Sequence, residues 1–181
     1  ICVRLLRGSW QFLLPIWGDH IGLNRGEIGV IFAISTLVDC VMLYPGGYTA
    51  DRWGRKWSAI PGVAILSLSM LMLSSCLTFS ALLLVAVLAG VANGISGGII
   101  MTLGSDWAPR ATRGTFLAVW RFLSDSSGAL SPVLIAGLSS LWSLSGALYV
   151  SGAIGMMGGM LMLIWGQETV RKNRNADTSI E

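Results

Sequence analysis

The sequence is short of charge. Only 12% of its 181 residues are Asp, Glu, Lys or Arg, whereas a soluble domain carries about 25%. Histidine is nearly missing as well, with His20 the only one. Cys2, Cys40 and Cys76 are odd in number, scattered and without C-x-x-C spacing. Neither a zinc site nor a disulfide framework is expected from such a set, and no metal or other cofactor is implied. An intramembrane enzyme would need a Ser/His or His/Asp set at depth, and no apolar run here supplies its histidine. The chain also shows no secretory signal: Ile1 opens directly inside an apolar segment and no methionine precedes it. It is read as a fragment lacking its N-terminal part.

What the chain has in excess is apolar. Hydrophobic residues make up 54% of it, and the mean hydropathy is +0.70. Its 23 glycines suit a bilayer, where helices associate through small residues. The net charge of +3 would hint at nucleic acid in a soluble protein. Here the cations sit mostly in short loops, so they are read as orientation signals, and no nucleic acid is expected.

Six apolar runs can be placed, near 1–18, 27–49, 57–77, 80–103, 114–138 and 142–165. Each approaches the roughly 20 residues needed to span hydrocarbon. The expectation is an all-α polytopic membrane protein, with a six-helix bundle over 1–166 and a polar tail over 167–181. Gly90, Gly94, Gly97 and Gly98 in the fourth run, and Gly152, Gly155, Gly158 and Gly159 in the sixth, form stripes for close packing. Pro132 should kink the fifth. Arg52, Arg55, Lys56, Arg110, Arg113, Arg171, Lys172 and Arg174 fall on one side, against Arg25 on the other. The excess of cations puts that side, and both chain ends, in the cytoplasm of a cell membrane. Six spans then divide into two three-helix units of opposite topology, as inverted repeats do.

Between the second and third runs lies the polar knot of residues 47–57, Gly-Tyr-Thr-Ala-Asp-Arg-Trp-Gly-Arg-Lys-Trp. Gly47 is expected where two helix ends approach, Asp51 as the cap of the following helix, and Gly54 at the turn. Arg52, Arg55 and Lys56 place three cations at one membrane face. The order G-x-x-x-D-R-x-G-R-K resembles the signature loop of the major facilitator superfamily of secondary transporters, with Thr49 in place of the usual apolar residue. Asp106-x-x-Pro109-x-x-x-Arg113-Gly114 is similar to the family's loop between the fourth and fifth helices of a half. Glu168-Thr169 is similar to the element that ends a half, with Gln167 replacing its proline. The resemblance implies that Asp51, Arg52, Arg55, Asp106, Arg113 and Glu168 form ion pairs that hold helix ends together in one state and break in the other. Orientation and capping alone are the alternative. The fourth run lacks the arginine of N-terminal halves, Ser131-Pro132 keeps only the proline of the antiporter element, and the chain ends in a short polar tail. The C-terminal half is therefore favoured.

Four charges interrupt the apolar runs. A rise of about 1.5 Å per residue across a core of about 30 Å puts Arg7, Asp39 and Asp125 roughly 16–18 Å from a helix end, near the midplane. Arg121 sits shallower, about 10 Å in. Ionisable groups at that depth are costly and point to function. Arg4 and Arg7 share a helix face. They form an anion-binding pair, or Arg4 reaches the cytoplasm and both pair with an acid in the missing half. Asp39 has no basic residue one turn away in its own helix. An isolated carboxylate in low dielectric is costly to ionise and takes up a proton, the property that a coupling site requires; an aspartate hydrogen-bonded to a neighbouring helix and doing nothing more is the alternative. Arg121 and Asp125, four apart, can neutralise each other. His20 belongs to an outer loop.

The function expected is transport of a small solute by alternating access, coupled to protons, with export preferred on the resemblance. Uncoupled facilitation and a non-transporting scaffold or receptor are the rivals. The implied partners are a small-molecule substrate, the lipid bilayer and the missing six-helix half.

Overall fold

The computed structural model describes residues 2–98, 104, 112–141 and 144–165. Among them are six long α-helices and no strand: α1 (Cys2–His20), α2 (Arg25–Trp53), α3 (Arg55–Leu73), α4 (Phe79–Ser96), α5 (Arg113–Leu141) and α6 (Leu144–Trp165). Each apolar run has become a helix, with ends displaced by a few residues. α4 stops at Ser96, where Gly97 and Gly98 follow; two successive glycines are poor helix formers. At its start the Thr78 side chain accepts from the Ala81 N–H, and at the start of α2 the Asn24 N–H donates to Glu27 Oε2 at 2.9 Å. Pro132 lies inside α5.

The polar knot differs from expectation in two respects. α2 continues through Asp51 to Trp53, and the N-cap of α3 is Gly54, so Asp51 does not occupy the capping position. Gly54 turns the chain at φ 101°, a conformation that only glycine adopts readily, and this part of the expectation holds. The second correction concerns Gly47, where an added Cβ would meet nothing within 4 Å. The close approach is made by Gly46, where a Cβ would lie 2.6 Å from the Ile95 Cα. One residue along a helix turns the side-chain direction by about 100°, enough to point Gly47 away from α4.

α1 sits at the centre of the core. Leu6, Trp10, Leu13, Leu14 and Trp17 recur at helical spacing and are all buried. The Trp17 indole N–H donates to the Cys76 carbonyl at 2.9 Å, tying the end of α1 to the connection between α3 and α4. α2 lies along α4, α3 along α4 and α6, and α1 along α5 and α6. The glycine stripes make these approaches possible. A Cβ at Gly90 would sit 2.5 Å from the Ser35 carbonyl oxygen of α2, and one at Gly152 2.8 Å from Leu71 of α3. Gly98 takes no part in the stripe, since a Cβ there meets nothing. Gly90→Ala should therefore push α2 off α4 against a backbone atom that cannot rotate away, costing about 1–3 kcal/mol. Gly98→Ala should leave stability unchanged. Thermal unfolding of the two purified variants separates them, and equal melting points would remove the stripe's role.

Two helical stretches, Arg25–Ala50 and Phe79–Ser96, are long and apolar enough to cross a membrane by length and composition. Ser58–Leu73 and Leu148–Met160 are shorter apolar stretches. α1 and α5 carry Arg4 and Arg7, and Arg121 and Asp125, and are less apolar for that reason.

Candidate functional site

The charges in the apolar helices converge on one cavity of about 330 Å³. α1 turns Arg4, Arg7, Gly8 and Gln11 toward it, a face opposite to the one buried in the core. α2 contributes Asp39, α4 contributes Asn93, and α5 contributes Asp125 and Gly128. Gly8 lets α1 and α5 meet closely. A Cβ at Gly8 would lie 3.0 Å from the Gly128 carbonyl oxygen. The three charges Arg7, Asp39 and Asp125 thus come together from three helices, and Arg121 flanks them.

Asp125 is not neutralised chiefly within its own helix. Arg4 Nη2 reaches its Oδ1 at 2.5 Å across the α1–α5 contact, while Arg121 Nε stands 3.7 Å from Oδ2. The Arg121 side chain is 69% exposed, and a long exposed side chain gains little from such a pair. Arg4 therefore has its acid in this chain. It neither runs off toward the cytoplasm nor waits for a partner from elsewhere.

Arg7 does something that its sequence position does not suggest. Its Nη2 donates to the Asn93 carbonyl and, at 3.3 Å, to Ser96 Oγ. Both acceptors lie in the last turn of α4, where carbonyls lack N–H partners from the helix itself. The Gly97 N–H has turned to the Gly94 carbonyl at 3.2 Å. Arg7 thus caps α4, a cation at the negative end of the helix dipole. Its Nε remains buried without a partner, as does Asn93 Oδ1.

Asp39 is half-buried and enters no hydrogen bond or ion pair among the described residues. It shares the cavity wall with Arg7. The cavity accordingly holds one closed pair, Arg4–Asp125, beside a cation and an acid that are not ion-paired. Asn93 and Gln11 escaped the sequence reading. Their signal is a lone amide in an apolar run, but only burial shows that Asn93, 9% exposed, is committed to the interior.

The polar knot lies elsewhere. Arg52 is exposed and places its guanidinium 5.9 Å from the Tyr48 ring centroid, donating to the Tyr48 hydroxyl. Arg113 is exposed at the start of α5. The side chains of Asp51, Arg55 and Lys56, together with Asp106, Glu168 and the whole 167–181 tail, lie outside the described residues.

Residues 1–180 match the family model described as Major Facilitator Superfamily. The chain is 21% identical to a hexuronate transporter of Bacillus subtilis over 86% of its own length and 37% of that protein. It is 22% identical to a probable hexose phosphate transport protein of Chlamydia muridarum, over 87% of the chain and 34% of the relative. It is 24% identical to the quinolone resistance protein NorA of Staphylococcus aureus, over 84% of the chain and 39% of the relative. The chain thus spans little more than a third of the length of these relatives. The family is one of transporters and not of enzymes, and its model covers nearly every residue here. By that match this multi-pass helical chain belongs to the Major Facilitator Superfamily.

Proposed function

We propose that the chain is one six-helix half, the C-terminal one, of a carrier that moves a small solute across the cell membrane by alternating access, coupled to protons through Asp39. The observation that carries this reading is the convergence of Arg7, Asp39 and Asp125 on one cavity inside an otherwise apolar bundle. Leu37, Tyr44, Leu84, Phe122 and Met157 are among the large apolar side chains left exposed. In water such a surface invites aggregation; against lipid and a second half it is what the solvent requires. A remaining length of nearly two thirds in the relatives accommodates that second half.

Six spans and inverted repeats are supported by a repeated contact. Ser35 of α2 donates to the Ala86 carbonyl of α4 at 2.8 Å, and Ser131 of α5 donates to the Leu5 carbonyl of α1 at 3.1 Å. In each case a glycine within the next turn, Gly90 or Gly8, makes room for the serine. Exchange of α1–α3 with α4–α6 maps one contact onto the other. The cytoplasmic face is assigned by cations, and there Gly47, Asp51, Arg52, Gly54, Arg55, Lys56, Asp106, Arg113 and Glu168 form the gate, whose ion pairs break when the halves rock. An unpaired acid beside Arg7 supports Asp39 as the group that loads and releases the proton.

The test needs no knowledge of the solute. In a cysteine-free full-length carrier, Gln11→Cys puts a reporter on the cavity wall. An impermeant maleimide should reach it from either side of oriented vesicles, because the site opens to each in turn. Asn24→Cys should react only from outside and Lys56→Cys only from the cytoplasm. A reporter reached from neither side, or from one alone, defeats alternating access.

A further inference from the structure

We infer that Ser58 is a positioning residue that joins the signature loop to the cavity, acting through the end of α4 on Arg7. The inference rests on the transport reading and adds how the loop and the cavity communicate. α4 stops at Ser96, so its last turn brings carbonyls without helical N–H partners into the packed interior. Three of them have found donors. The Asn93 carbonyl takes Arg7, the Gly94 carbonyl takes the Gly97 N–H at 3.2 Å, and the Ile95 carbonyl takes the Ser58 hydroxyl at 2.7 Å. Ser58 is 1% exposed and lies in the first turn of α3, four residues past the turn at Gly54. Its hydroxyl also has the Gly46 carbonyl of α2 at 3.3 Å. One side chain beside the signature loop thus touches α2 and α4 together, two residues along α4 from the carbonyl that holds Arg7.

The Gly97 N–H selects between two arrangements of this helix end. In a continued α-helix it would bond the Asn93 carbonyl, four residues back. Here it bonds Gly94, three residues back, and the Asn93 carbonyl is open to Arg7. The other acceptor is close at hand, since a Cβ at Gly97 would lie 3.2 Å from the Asn93 carbonyl oxygen. By holding Ile95, Ser58 fixes the tightened turn. Without its hydroxyl the last turn gains by returning to the α pattern, and Arg7 is displaced from Asn93. Two arrangements that differ by about one hydrogen bond can be tipped by a small shift of a neighbouring helix. The neighbours are tightly engaged here: a Cβ at Gly46 of α2 would lie 2.8 Å from the Ile95 carbonyl oxygen, and one at Gly62 of α3 2.7 Å from the Ser96 Cβ. Ser69 provides the contrast. It is equally buried in α3, but its hydroxyl donates to Ile65 of the same helix at 2.8 Å.

Labelling of the Gln11→Cys reporter from each side of oriented vesicles tests this in the full-length carrier. The joint lies toward the face that carries the signature loop, so loosening it opens that side. Ser58→Ala should raise the ratio of cytoplasmic to outside labelling rates about fivefold, the worth of one hydrogen bond. Gly97→Ala favours a continued helix, and its Cβ is crowded closest by the flexible end of Leu43. It should move the ratio the same way, and it stands in if Ser58→Ala does not fold. Ser69→Ala should leave the ratio unchanged. Arg7→Met should also raise it, and Ser58→Ala added to Arg7→Met should do nothing more, because both break one joint. An unchanged ratio in Ser58→Ala, an equal shift in Ser69→Ala, or effects of Ser58→Ala and Arg7→Met that multiply would overturn the inference. In those outcomes the parent reporter is still reached from both sides, and the transport reading stands. A parent reporter reached from one side alone defeats the transport reading, and this inference with it.

Discussion

Asp39→Asn in the full-length carrier should abolish accumulation driven by a pH gradient while leaving exchange of solute between equal compartments. Asparagine fills the space of the acid and mimics its protonated form, so the solute site keeps its shape and loses only the proton cycle. The size of the effect follows from the isolation of Asp39. It has no hydrogen bond or ion pair among the described residues to take over its role, and Arg7 shares its cavity wall. Asp125→Asn should do less to coupling, because Asp125 is fixed by Arg4 and flanked by Arg121. Uptake into vesicles with and without an imposed gradient, compared for the two variants, is the measurement. A carrier with Asp39→Asn that still concentrates solute as the parent does makes Asp39 a structural acid, and an uncoupled facilitator then becomes the better reading.

Arg7→Ala should lose both transport and stability, and Arg7→Lys should separate the two. The arginine has two tasks in the structure. It satisfies the Asn93 carbonyl and Ser96 at the end of α4, and it lines the cavity. Truncation leaves a buried carbonyl unpaired, worth about 1–3 kcal/mol, and removes the cation from the cavity wall. Lysine can still donate to the end of α4, but it is a point charge and cannot serve both sides as the guanidinium fork does. The melting temperature of Arg7→Lys should return most of the way to that of the parent while its uptake stays low. Uptake restored fully by lysine would show that charge alone suffices and that the guanidinium fork has no role.

How much of this is legible in the sequence differs from element to element. The helices are legible, because each apolar run needs its backbone hydrogen bonds made internally and only six long helices fit the runs and breaks. The turn at Gly54 is legible from its place between two runs. The neighbouring Gly46 and Gly47 are not separable by sequence, because which of two adjacent glycines faces α4 depends on the rotation of α2 about its axis. The same limit applies to Asp51, whose assignment as a cap required a helix end three residues earlier than the one formed.

The sequence by itself determined that charge would stand inside an apolar bundle, and on which helices. Arg7, Asp39 and Asp125 can be found by depth alone, since each is an ionisable residue far from the ends of an apolar run. Only the tertiary structure decided how they pair. Arg4 takes Asp125 from Arg121 because Gly8 brings α1 and α5 close enough for a direct contact. Arg7 goes to the end of α4 because that helix stops at Ser96 and leaves carbonyls to be satisfied. Asp39 and the amide of Asn93 are left over once those bonds are made. Pairing is a competition among groups from different helices, settled by distances of a few ångströms that no spacing along one chain encodes.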